Sequence, residues 1–164
     1  MNLKPLLEIM RRELRLQERI LTAKKEEQRL LAVGRADRLL NLTTELGDLA
    51  DEARALEEER REITQRLALE LGIETPNPTL KEILEILPPY NRSDLEKTRD
   101  ELVGIVVLVR QQNLTNRLML TRAVDTLNQE LKSLALTPES GVYQANGMKP
   151  PVASPPRAGL NVRA

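Results

Sequence analysis

Within QQNLTNRLMLTRAVDTLNQELKSL, residues 111–134, two asparagines stand three residues apart, Asn113 and Asn116. Both fall on the apolar spacing of what reads as one helix seam: Leu102, Val106, Val109, Asn113, Asn116, Leu120, Ala123, Leu127, Leu131 and Leu134. An amide on such a seam needs partners, because leaving it buried and unpaired costs roughly 1–3 kcal/mol. Two uses are open. The amides can form a polar layer that sets helix register, as asparagine does in coiled coils. They can instead be offered to the backbone of a partner protein. Composition by itself favours the register role, which is the better-attested one. The second feature is Tyr143, in ESGVYQANGMKPP. It is one of two tyrosines in a chain without phenylalanine or tryptophan, and it stands in a segment with no apolar period.

Other chemistry has little to work with. The chain lacks cysteine and histidine, so thiolate nucleophiles, disulfides, imidazole bases and the commonest metal ligand are all absent. There is no G-x-S-x-G elbow and no phosphate-binding glycine loop. Carboxylates abound, but a di-metal bundle site normally uses a Glu-x-x-His motif, which this chain cannot supply. The expectation is a protein that is not an enzyme and carries no cofactor or metal.

The elements that position these residues are helical. The 164 residues are 30% charged and 1% aromatic, a composition typical of long helices and coiled coils. Proline is absent between residues 6 and 75 and again between 90 and 137, which leaves room for long helices. A first helix is expected over 3–32, carrying two apolar stripes. One holds Leu3, Leu7, Met10, Leu14, Leu21 and Leu31; the other holds Leu6, Leu16, Ile20, Ala23 and Leu30. The break falls at Val33-Gly34-Arg35-Ala36, with Asp37 as the N-cap of a second helix over 38–71. That helix has a heptad seam: Leu39, Leu42, Leu46, Leu49, Ala53, Leu56, Arg60, Ile63 and Leu67. Gly72 suits its end. Thr79 with Glu82 forms a capping box for a short helix over 80–87, ended by Pro88-Pro89. Ser93 with Glu96 reads as a second box, opening a long helix that stops before Pro138.

Residues 137–164 hold half of the ten prolines and three of the seven glycines, and are expected to be disordered. The fold class is therefore all-α: an elongated antiparallel helical bundle or coiled coil of three long helices and one short one. Residues 1–136 form the helical domain and 137–164 the tail.

The formal net charge is zero, with 25 residues of each sign. The tail carries Lys149, Arg157 and Arg163 against Glu139, too few cations to argue for nucleic acid. No run of 18 apolar residues and no signal-peptide pattern is present, so neither membrane insertion nor a secretory route is expected, and a cytoplasmic location is.

Three features together resemble the FlgN family of flagellar export chaperones. They are the order of helices and tail, the Asn-x-x-Asn pattern at Asn113 and Asn116 followed by Leu118, Leu120, Val124, Leu127, Leu131 and Leu134, and a tyrosine followed four residues later by glycine, Tyr143 and Gly147. The resemblance implies a chaperone of hook–filament junction proteins. It would cover their amphipathic terminal helices until export through the flagellar type III apparatus. The resemblance implies a client-binding region over roughly residues 100–147, the last helix and the adjoining tail, and within it the apolar stripe points to Val106, Val109, Asn113, Asn116, Leu120, Val124 and Leu127. Tyr143, with Gly147 beside it, would dock on the cytoplasmic platform of the export gate. The proline-flanked short helix and the proline-rich tail beyond Gly147 depart from the family pattern. The alternative is a structural coiled-coil scaffold that self-associates through the seam of the second helix, and homodimerisation of the empty protein is left open.

Overall fold

A computed structural model describes residues 2–136. Four helices occur among them and no strand: α1 (Lys4–Ala32), α2 (Ala36–Glu70), α3 (Leu80–Ile86) and α4 (Pro89–Leu136). The chain divides into two units, Met1–Asp125 and Thr126–Ala164. In the second unit, the described side chains from Thr126 to Leu134 are exposed. Tyr143, Gly147 and the tail expected over 137–164 lie outside the described residues.

In the first unit α1 and α2 form an antiparallel hairpin. Cross-helix ion pairs fix its sense: Arg12–Glu59 at 3.0 Å and Arg19–Glu52 at 3.1 Å. The seam expected for α2 is the one that packs. Leu42, Leu49, Leu56, Ile63 and Leu67 are buried, and Leu39, Leu46 and Ala53 are partly so. Their targets on α1 include Leu6, Met10, Leu16, Ala23 and Leu30. Ile9, which belongs to neither expected stripe, is also fully buried.

Both hairpin helices end on a glycine with positive φ, Gly34 at 68° and Gly72 at 72°. At the first, Arg35 N–H donates to Leu30 O and Gly34 N–H to Leu31 O. At the second, Ile73 N–H donates to Ala68 O and Gly72 N–H to Leu69 O. This pattern satisfies the last carbonyls of each helix, and it needs a residue that tolerates the left-handed region.

Two helix starts differ from expectation. The turn through Gly34 is so tight that α2 begins at Ala36, with Arg35 in the cap position and no side-chain cap. Asp37 is therefore inside the first turn rather than capping it, and Arg35 holds it at 2.9 Å. Its carboxylate still favours the positive end of the helix dipole. Likewise α4 opens at Pro89, not after Ser93. Proline suits a first helical position because its φ is already helical and no N–H is needed there. Ser93 is thus an exposed residue within the helix, and Glu96 pairs with Arg92. The Thr79–Glu82 box forms as expected: Thr79 N–H donates to Glu82 Oε2 and Glu82 N–H donates to Thr79 Oγ1.

The largest fully buried side chains are Leu6, Ile9, Met10, Ile83 and Leu95. They come from the starts of α1 and α4 and from α3, so the core is densest where the hairpin's open end, α3 and the first turns of α4 meet. Past that point, as far as Met119, α4 meets α1 through a thinner contact that leaves the other side of the helix exposed.

Candidate interaction face of the fourth helix

The inner face of α4 follows a regular alternation of three and four residues: Leu95, Thr98, Leu102, Ile105, Val109, Gln112, Asn116 and Met119. All are buried or half-buried. Their neighbours show that α4 runs parallel to α1. Leu102 shares a cleft with Met10 and Glu13, while Asn116 bonds to Lys24.

Asn116 is only 3% exposed, and its amide is fully used. Nδ2 donates to Lys24 O at 2.7 Å and to Glu27 Oε2 at 2.6 Å. Its Oδ1 accepts from Gln112 Nε2 at 2.9 Å, and that same nitrogen donates to Gln28 Oε1 at 2.8 Å. Lys24 completes the layer with an ion pair to Glu27 at 3.0 Å. No described buried side-chain donor or acceptor lacks a partner. With its buried groups satisfied across the two helices, the layer favours this register of α4 against α1.

Asn113 does not share this role. It is exposed, one position round from Gln112, which takes the place in the seam that Asn113 was expected to fill. The packed stripe thus uses Ile105, Gln112 and Met119 where the sequence reading had Val106, Asn113 and Leu120. The two stripes overlap at Leu102, Val109 and Asn116, so spacing cannot separate them.

The opposite face of α4 is apolar and bare. Val103, Val107, Leu114 and Leu118 are each between 43% and 59% exposed. They follow one another at steps of four, seven and four, which keeps them on one side of a helix. Leu120 and Val124 are also about half exposed. Singly exposed apolar side chains are ordinary; a row of four along one side of a helix is a candidate contact surface.

Where this face meets the hairpin there is a cleft of about 320 Å³ lined by Met10, Glu13, Arg60, Leu80, Arg99, Leu102, Val103, Val106, Val107 and Arg110. A neighbouring cleft of about 340 Å³ shares Glu13, Arg60, Leu102, Val106 and Arg110 with it. Arg60 Nε donates to Glu13 Oε1 at 2.9 Å. Burial pushes the Glu13 carboxyl above its ordinary 4.5, Arg60 opposes the rise, and Glu57 adds to it. Among the described residues no group of three or more carboxylates is arranged to hold a metal ion, and no helix is long and apolar enough to cross a membrane.

Residues 1–151 match the model of the family described as FlgN protein, a span that takes in all four helices and about half of the residues after them. The chain belongs to the FlgN family of flagellar export chaperones. Comparison with curated proteins and with solved structures gave no match.

Of the client-binding residues read from the sequence, none belongs to the bare row: Val106 lines the cleft and is half-buried, and Asn113, Leu120 and Val124 are exposed on the flank between that row and the packed face. Val109 and Asn116 face α1 instead, and Leu127, in the second unit, is exposed. The sequence reading missed Val103, Val107 and Leu114 as surface residues. Their signal was present as a second apolar stripe, but a core and a contact surface are written in the same residue types.

Proposed function

We propose that this FlgN-family chaperone binds the amphipathic terminal helices of hook–filament junction proteins along the bare face of α4. It thereby keeps them from assembling early and carries them to the export gate. The observation that carries the reading is the row Val103, Val107, Leu114 and Leu118, left half-exposed by a helix whose other face is already packed. Such a row suits helix-in-groove recognition. Covering four half-exposed side chains contributes on the order of 4 kcal/mol gross, and the clefts around Val106 add to it. Ordering of the client offsets much of the gain, which keeps binding reversible.

The scaffold alternative loses its seam. The apolar residues of α2 that would join two copies are buried in the hairpin with α1. The cytoplasmic location, and the docking of Tyr143 and Gly147 on the gate platform, belong to the same proposal and rest on the family.

The test is titration of the full chain with a peptide copying the terminal helix of a junction protein. Leu118→Asp should weaken binding about tenfold or more, with helix content unchanged because the site is exposed. An unaltered affinity would move the client off this face.

A further inference from the structure

Resting on α4 as the client-binding face, we propose that its occupant is an acidic amphipathic helix: a stripe of large apolar side chains bordered by carboxylates that meet Arg110 and Arg117. The charge of the face carries the argument. Between Glu101 and Asp125, the carboxylates that bound the stretch, α4 holds Arg110, Arg117 and Arg122 and no aspartate or glutamate, in a chain that carries 25 residues of each sign. Just upstream the pattern is different, with Arg92 paired to Glu96 and Arg99 to Asp100. Neither Arg110 nor Arg117 takes part in an ion pair among the described residues.

The two arginines stand seven residues apart, two turns of helix, so both lie on one side and border the apolar row. A cation line beside an apolar stripe steers carboxylates in and turns cations away, and docking excludes water and strengthens the effect. A second copy of this chain would set arginine against arginine, so the face is not self-complementary. An anionic lipid surface would also attract such a helix. However, Arg110 stands at a cleft of about 320 Å³, a recess that a side chain of a docked helix can fill as an anchor and a flat bilayer cannot.

The probe is a synthetic helix with leucines at the spacing of the bare row and glutamates on both flanks, titrated into the full chain beside a glutamine-for-glutamate twin. The glutamate helix should bind about tenfold tighter than its twin, the effect expected of two partly exposed ion pairs. That preference should disappear in the Arg110→Gln, Arg117→Gln double variant and shrink as salt rises. Equal affinity for the two helices overturns the charge inference while leaving the apolar face as a docking site. Failure of both helices to bind overturns the inference and the client-binding reading together. Sedimentation of the chain with phosphatidylglycerol vesicles, without binding to either helix, replaces the protein occupant by a lipid and also overturns it.

Discussion

Glu13 is a carboxylate in an unfavourable place. It is buried on the inner side of α1, satisfied by Arg60 of α2, and held above its ordinary pKa chiefly by lost solvation. A carboxyl that takes up its proton more readily when folded stabilises the fold at low pH. That contribution is lost as pH rises from the unfolded value, 4.5, through the higher folded one. Asp37 and Glu82 shift the other way, each held low by hydrogen bonds, so total stability against pH mixes the two signs. Comparison with Glu13→Gln isolates the one group, since the others are common to both proteins. The melting temperature of the native chain, relative to the Gln variant, should fall as pH rises from about 4 to about 7. A difference that stays constant over that range would mean Glu13 titrates normally.

At the scale of elements the question is what holds α4 in place when only one of its faces is packed. Beyond the dense core near Leu95, its grip on α1 consists of half-buried aliphatics and the polar layer at Asn116. Asn116→Ala should therefore destabilise the fold by roughly 2 kcal/mol, because it strips partners from Gln112, Glu27 and the Lys24 carbonyl. Asn113→Ala, three residues away but exposed, should stay within about 0.5 kcal/mol of the native chain. Denaturant midpoints measure both, and equal losses would mean that the register layer carries no special weight. This pair also shows what could be read in the sequence. The helix count, the α2 seam and the Thr79 box were legible because periodicity and caps are local signals. The facing of α4 was not. Its apolar residues occupy more than half of the helix circumference, so at least two heptad registers fit them. Only the position of Lys24, Glu27 and Gln28 on another helix selects Gln112 and Asn116 as the buried pair. The starts of α2 and α4 were misread for a similar reason: a plausible cap residue stood downstream of a turn that had already set the helix direction.

For the molecule as a whole, a carrier must hold a client and present it, and the two tasks are best kept on separate surfaces. As far as Met119, one side of α4 is packed and the other is exposed, so under the proposed reading the client has a face of its own. A tyrosine outside the helical seams is suited to the second task, since it offers large contact area with few rotatable bonds. If Tyr143 serves the gate and α4 the client, the two functions should separate genetically. Tyr143→Ala should leave the affinity for a junction-protein peptide within about twofold while lowering the amount of junction protein exported by cells about tenfold, roughly the loss of one anchoring side chain. Peptide titration and measurement of secreted junction protein in the same strain test it. A parallel loss of both would mean that the tyrosine helps to hold the client, and capture and delivery would then share one surface.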